Sequence, residues 1–515
     1  MSAVRNQHPA RAQIAEALAW LRAHAAPQAN LHADSRSLKA GDVFVAYAVE
    51  GADNRPYIDQ ARALGAAAIL YQPEGFAGQP DPSMSLAVPQ LDQLAGEIAS
   101  GWYGDPTDAL RVIGVTGTNG KTSCSQWVAS ALSALGEKCA IIGTLGSGFP
   151  DALVHTGFTT PDASQLQRSL AQLRAAGARA VTMEVSSHAL HQGRVNGTAF
   201  DIAIFTNLTQ DHLDYHRTFE AYEAAKARLF AWPGLQTAVI NADDAAGRRL
   251  LAATRGHART IACSIATAAA EAPASDAWLR AANVRATALG TAFHLETSDW
   301  GEADVEVQTL GLFNVSNLLG VLGALLAADV PLAAALAELA KLHPVNGRME
   351  RLGGRLDRDE PLVVIDYAHT PDALEKTLES LRPIATARGG QLVCMFGCGG
   401  DRDATKRPLM GAIAERLADE VVVTSDNPRS ESPAAIIEQI AGGMRESAKA
   451  RRIEDRASAI LQVVRGAARE DVVVLAGKGH EATQETMGKK RAFSDQDHAR
   501  LALAARATHG RGGSE

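Results

Sequence analysis

The sequence predicts an α/β protein of three domains, and three observations carry that prediction. Short apolar runs rich in valine and isoleucine alternate with longer segments of helical periodicity, the pattern of parallel strands joined by crossover helices. Two stretches of polar, glycine- and proline-bearing punctuation interrupt the alternation, Gly104-Asp105-Pro106-Thr107 and His343-Pro344-Val345-Asn346-Gly347. At 515 residues the chain exceeds what one core organises and corresponds to about three domains. The expected limits are 1–106, 107–345 and 346–515.

In the first unit, residues 42–48 read as a strand, 57–64 as a helix and 66–71 as a strand, which makes a small N-terminal α/β domain. In the second, strands at 112–116, 180–185, 202–207 and 238–241 alternate with helical patterns, which gives a mostly parallel sheet. In the third, strands at 362–366, 392–396, 420–424 and 472–476 alternate with helices such as 371–381 and 433–441. These strands are nearly continuous apolar runs, as when both sheet faces are covered, and the unit reads as Rossmann-like. The tail 510–515 is expected to lack order.

Apolar content of 46% fits a soluble globular protein, and a net charge of -8 argues against a nucleic-acid-binding surface. Five cysteines, odd in number and scattered, fit a reducing compartment. Only Cys394 and Cys398 are close, and they lack the second pair that a zinc site needs. Residues 1–9 have no basic segment leading into an apolar core, and the apolar stretch 318–328 is too short to cross a bilayer. The expectation is a cytoplasmic protein without membrane insertion.

The strongest motif is Thr116-Gly117-Thr118-Asn119-Gly120-Lys121-Thr122-Ser123, between an expected strand and an expected helix. Glycines let backbone N–H groups approach phosphate oxygens, a helix N-terminus adds its positive dipole end, Lys121 reaches the terminal phosphates and Thr122 can ligate magnesium. The strict phosphate-loop spacing would place glycine where Val115 stands, so the loop is a variant. In the same unit, Met183-Glu184-Val185-Ser186-Ser187-His188 and Thr206-Asn207-Leu208-Thr209-Gln210-Asp211-His212-Leu213-Asp214 end two expected strands. Glu184, His212 and Thr122 suit magnesium beside a triphosphate, although each taken alone also fits a helix cap or an ordinary core contact.

Together with Tyr222-Glu223-Ala224-Ala225-Lys226, Leu312-Phe313-Asn314-Val315-Ser316-Asn317, Gly347-Arg348-Met349-Glu350, Asp366-Tyr367-Ala368-His369-Thr370-Pro371-Asp372, Gly399-Gly400-Asp401-Arg402-Asp403 and Gly477-Lys478-Gly479-His480-Glu481, these motifs resemble the Mur ligases. Those are ATP-dependent amide-forming enzymes of peptidoglycan synthesis, and the resemblance runs in collinear order through nearly the whole chain. It implies an N-terminal domain for a UDP-linked precursor, a central P-loop ATPase domain and a C-terminal domain for an incoming amino acid. ATP and Mg2+ are the implied cofactors. Lys121, Glu184, His212, Lys226 and Arg348 are the implied catalytic residues, and Thr122, Glu184, His212 and Lys226 the metal set. Lys226 would act as a carbamate, whereas by itself it fits an ordinary solvated lysine on the helix expected at 219–230. Gly117 to Ser123, Asn314, Arg348, Asp366 and His369 match the ATP positions. Ser35, Thr159, Thr160, Ser186, Gln192 and Arg194 match the precursor positions.

One feature selects among the family's members. Asp426-Asn427-Pro428-Arg429 follows the apolar run Val421-Val422-Val423-Thr424, at the lip of a parallel sheet where such folds bind ligands. By itself it fits an ordinary turn with a solvated arginine. Within the family, this form accompanies meso-diaminopimelate as the amino acid added to a UDP-linked muramoyl dipeptide. Arg429 would bind the distal carboxylate and repel the ammonium end of lysine. Arg402, Gly477 and Glu481 match the remaining contacts of that amino acid. The rival readings are a lysine-adding member, a folate polyglutamate ligase and a scaffold that binds ATP without ligation. Folate ligases begin close to their phosphate loop, whereas here that loop starts at Thr116.

Overall fold

A computed structural model describes residues 9–265, 274–287 and 290–509. The expectations for the N-terminal segment 1–8 and the tail 510–515 lie outside the described residues. We assign three domains, each built on its own sheet.

The N-terminal sheet has four parallel strands, ordered Leu31–His32, Val43–Ala46, Ala68–Tyr71 and Ser85–Ala87. The run expected at 42–48 breaks at Tyr47 because Asn54 captures its backbone: Asn54 Oδ1 accepts from Tyr47 N at 2.6 Å and Nδ2 donates to the Ala33 carbonyl at 2.6 Å. Helices Pro9–His24 and Leu91–Trp102 cover one face with Leu21, Leu91, Leu94 and Ile98, and the core they form includes Ala163 of the central domain. The two domains are therefore packed together.

The central sheet runs in the order Ala152–Val154, Gly146–Phe149, Cys139–Gly143, Ala180–Glu184, Arg111–Thr116, Ile202–Phe205, Thr237–Asn241, Arg259–Ser264, Ala277–Ala286, Thr291–Thr297, Ala303–Val307. The interior is parallel and both flanks are antiparallel. The expected strands at 112–116, 180–185, 202–207 and 238–241 form its centre. The flanking strands were not anticipated: Gly146, Gly148 and the alternating polar residues of 277–307 lack the continuous apolar signature of a doubly covered strand. Helix Leu312–Ala327 is buried almost throughout and packs on one face with helix Lys121–Ala134.

In the third domain the strand order is Glu350–Gly353, Leu362–Asp366, Val472–Ala476, Leu392–Phe396, Glu420–Val423, Arg451–Arg452, parallel except for the first. All four anticipated strands are present, and their interior residues are fully buried between two helical layers. The segments 399–403, 426–429 and 477–481 follow the C-terminal ends of three neighbouring strands, which brings them side by side.

A buried ion pair ties two of these strand ends together. Arg456 and Asp495 are both excluded from solvent and doubly bonded, at 2.8 and 2.6 Å. The same guanidinium donates to the carbonyls of Ser425, at 3.3 Å, and Ala476, at 2.9 Å. Removing one partner leaves an uncompensated buried charge. Asp495→Ala is expected to lower the stability of the C-terminal domain by about 3–5 kcal/mol, read as a drop in its urea midpoint.

Candidate active site

The variant phosphate loop joins strand Arg111–Thr116 to helix Lys121–Ala134, in the context its sequence required. Gly117 has φ +148°, and a Cβ there would fall 1.9 Å from Thr206 Oγ1, so no larger residue fits. The loop is fixed from the next strand end: Thr118 N donates to the Asn207 carbonyl at 2.8 Å, Asn119 N to Asn207 Oδ1 at 3.0 Å, and Thr206 Oγ1 to the Asn119 carbonyl at 2.5 Å. Lys121 curls back over it, Nζ donating to the carbonyls of Gly117, at 2.9 Å, and Thr118, at 2.8 Å. The helix's first-turn amides face the same space, which favours phosphate.

Below the loop, Thr122 Oγ1 donates to Glu184 Oε2 at 3.0 Å, and Thr144 donates to both carboxylate oxygens through its backbone and hydroxyl. Glu184, Thr122, His212 and Lys226 line one cavity of about 190 Å3 with Ser186, Arg348, Tyr367 and His369. Among the described residues no three His, Cys, Asp or Glu side chains form a ready-made metal cluster. An oxygen set of one carboxylate and one hydroxyl, completed by phosphate and water, is nonetheless the usual way magnesium is held. The donors fit that ion.

Lys226 is not a solvated lysine. Thr218 caps its helix, Phe219–Ala227, by accepting from Ala221 N, and places Lys226 on the same face as Tyr222, one turn earlier. Nζ lies 4.6 Å from the Tyr222 ring and donates to the Gly117 carbonyl at 2.8 Å, the oxygen that Lys121 also uses. Burial, and then the neighbouring Lys121 charge, hold its pKa well below the usual lysine value. His188 and His216 pack near His212, and both are pushed down to about 4, first by burial and then by neighbouring histidines. They stay neutral at neutral pH.

A larger cavity of about 710 Å3 opens beside the phosphate loop. One wall carries Thr159, Thr160, Ser186 and Arg194, and the other Arg402, Arg429, Gly477 and Glu481. Thr160 Oγ1 donates to the Glu184 carbonyl and accepts from Ser186 N, so the strand end and the loop are locked together. Gln192 acts through a neighbour: its Oε1 accepts from Arg194 Nε at 2.8 Å and Nη2 at 2.6 Å. Ser35 sits apart from these walls, buried in the N-terminal domain, with Oγ donating to Gln60 at 3.3 Å.

Arg348 and Tyr367 join the domains. The Arg348 guanidinium lies 4.3 Å from the Tyr367 ring centre and donates to Thr122 Oγ1 at 3.2 Å. Asp366 is a brace: its carboxylate accepts from Met349 N at 2.7 Å and Ala368 N at 2.9 Å, and burial pushes its pKa up. Asn314 donates to the Leu310 carbonyl at 2.8 Å and lines a small cavity with Gly120, Ser123, Arg348 and Asp366. His369 holds the Tyr367 carbonyl through Nδ1 at 2.9 Å and lines both the phosphate-loop cavity and the larger one. Tyr367 was not singled out from sequence; its signal was an aromatic side chain in the first loop residue after an apolar strand.

Arg429 reaches the large cavity in a left-handed backbone conformation, φ +51°, unusual for a side chain of its size. What holds it there is the hairpin Thr483–Thr486/Lys489–Ala492, absent from the sequence reading. Arg429 N donates to the Glu485 carbonyl at 3.1 Å, and Met487 N to the Arg429 carbonyl at 2.6 Å. The Met487-Gly488 turn was the available signal, since both residues take positive φ. One guanidinium donor is given to the Gly400 carbonyl at 2.6 Å. Asp426 shapes the floor: Oδ1 accepts from Asn427 N, and a Cβ at Gly477, φ +109°, would lie 2.8 Å from Oδ2. Pro428 stiffens the same turn.

Residues 115–325 match the Mur ligase middle domain and residues 347–479 the Mur ligase, glutamate ligase domain. A UDP-N-acetylmuramoyl-L-alanyl-D-glutamate--2,6-diaminopimelate ligase from Ralstonia nicotianae is 61% identical over 504 residues, covering 97% of each chain. A namesake from Pseudomonas aeruginosa is 52% identical, over 92% of this chain and 94% of its own. A solved structure of an enzyme of that name is 38% identical, covers 93% of this chain and 95% of its own, and superposes with a TM-score of 0.64.

Lys226→Met tests the description of the buried amine. The Gly117 carbonyl keeps its bond from Lys121, and a desolvated amine is replaced by an apolar chain of similar length. The variant is expected to be more stable than the parent by about 1 kcal/mol in urea unfolding while losing activity.

Proposed function

The chain belongs to the Mur ligase family, and we propose that it joins meso-diaminopimelate to the D-glutamate carboxylate of UDP-N-acetylmuramoyl-L-alanyl-D-glutamate, cleaving ATP to ADP and phosphate. One observation carries the reading. The 710 Å3 cavity brings Thr160, Ser186 and Arg194 of the central domain to face Arg402, Arg429, Gly477 and Glu481 of the third, and it shares Thr159, Ser186 and Tyr367 with the phosphate-loop cavity. Three substrates can meet in that space.

The chemistry follows from a problem of charge. A carboxylate resists nucleophilic attack, so its oxygen first attacks the terminal phosphorus of ATP and ADP departs. The amine of the incoming amino acid then adds to the acyl carbon, and phosphate leaves. Two anions must approach for the first step, and Lys121, Arg348 and the helix N-terminus supply positive potential in a largely buried site. Glu184, Thr122 and His212 would hold magnesium, which when bound neutralises phosphate charge. Lys226, whose charged form burial disfavours, can form an N–C bond to carbon dioxide with loss of a proton, giving a carbamate that joins the metal set. Arg194, held by Gln192, suits an anionic part of the precursor, and the uridine end lies toward Ser35. These substrates belong to the cytoplasm, and no described helix is long and apolar enough to cross a membrane.

The selector is Arg429. Its planar fork matches a distal carboxylate, which L-lysine lacks. Purified protein with ATP, magnesium and the UDP-linked dipeptide is expected to release phosphate with meso-diaminopimelate and not with L-lysine, and to yield a product of matching mass. Turnover with lysine would overturn the specificity, and turnover with neither would overturn the ligase reading. Arg429→Ala is expected to lower kcat/KM for diaminopimelate by about 10- to 100-fold, the loss of one charge-assisted hydrogen bond.

A further inference from the structure

Lys478 is among the largest side chains fully hidden from solvent, and no role in the reaction has yet fallen to it. Its ammonium group has three donors, and the structure supplies three acceptors: Glu481 Oε2 at 2.8 Å, the Thr483 carbonyl at 2.8 Å and Asn427 Oδ1 at 3.2 Å. The Phe493 ring lies 5.9 Å away on a further side. With its donors used within the protein, Lys478 is unsuited to hold a ligand directly.

Its partners, by contrast, line the ligand space. Glu481 lines both the 710 Å3 cavity and an adjoining one of about 1060 Å3, and Asn427 lines the latter with Arg429. The lysine fixes their chemistry. Asn427 Oδ1 accepts from Lys478 Nζ and from Glu485 N at 2.9 Å, which forces the amide nitrogen toward Glu481 Oε2, at 2.7 Å. A flipped amide would set donor against donor. Glu481 Oε2 is thereby occupied twice, and Oε1 is left to meet an ammonium group. The Thr483 carbonyl is the start of the hairpin that holds the Arg429 backbone, so one cation links the segments 426–429 and 477–481 to that hairpin.

We infer that Lys478 is a positioning residue that sets the affinity and selectivity of the amino-acid pocket by orienting Asn427 and Glu481 and anchoring the Arg429 hairpin. The inference rests on the acceptor-site reading above. Its electrostatic consequence has a sign: without Lys478, the pocket keeps Asp426, Glu481 and Glu485 and loses a cation, which opposes a distal carboxylate and tolerates a distal ammonium.

The test is steady-state kinetics on full-length Lys478→Met and Lys478→Arg, varying each of the three substrates. Neither replacement can reproduce a compact three-way donor. Both are expected to raise the KM for diaminopimelate about tenfold or more, with the KM for ATP and for the UDP-linked dipeptide within about twofold of the parent. The diaminopimelate-to-lysine ratio of kcat/KM is expected to fall. Combined with Glu481→Gln, Lys478→Met should cost less than the product of the two single effects, because part of its action passes through the same carboxylate. A uniform loss across all three substrates, an additive double variant, or failure of both single variants to fold would overturn the inference and make Lys478 a core residue. Parental turnover with L-lysine would overturn only the diaminopimelate reading, since the KM shift is then read on lysine, and a parent inactive with both would overturn the two together.

Discussion

Two lysine side chains share one carbonyl oxygen, that of Gly117, and the candidate site is arranged around it. Both amines are buried, both donate to the same neutral acceptor, and the charge of Lys121 disfavours that of Lys226. Glu184 and Asp211 line the same cavity and favour the charge on Lys121. Lys121 stands at the helix N-terminus, the end whose dipole favours an anion. Lys226, one helix away beneath the loop, is the amine that burial and repulsion drive toward neutrality, which is the condition for reaction with carbon dioxide. The loop glycine that permits this crowding cannot be replaced without striking Thr206.

The surrounding structure exists to bring the ends of two sheets to this point. The central sheet contributes the phosphate loop, Glu184 and the 206–212 segment from adjacent strand ends; the third domain contributes Tyr367, His369 and three loops from its own strand ends. Arg348 spans the junction, stacked on Tyr367 and bonded to Thr122. Apolar packing crosses the same junction, since Leu310 and Phe313 of the central domain join the core of the third. The Asp366 brace on Met349 and Ala368 shows how the third domain fixes its side of the junction.

Beneath the cavity wall formed by Arg429, Gly477 and Glu481 lies a buried polar layer, Arg456 with Asp495 and Lys478 with Asn427 and Glu481. Such groups are costly to desolvate and contribute little net stability. Their value here is geometric: they fasten loop carbonyls and amides that an apolar filling could not orient. Arg429, half-buried and held in a left-handed conformation by a hairpin, stands at the edge of that framework.

The sequence alone determined the parallel strands, because doubly covered strands must be apolar throughout, and it determined the phosphate loop, because glycine, lysine and threonine at those spacings have few other uses. It also located Asp426-Asn427-Pro428-Arg429 at a strand end. It did not reveal the antiparallel flanks of the central sheet or the hairpin at 483–492, whose polar, short strands carry weak local signals and are held by pairing with distant chain. Nor could it distinguish residues that touch the cavity, such as Arg194 and Arg429, from those that act through them, such as Gln192 and Asp426. That distinction depends on which polar atoms are satisfied within the protein, and it is fixed only when the folded chain brings those atoms together.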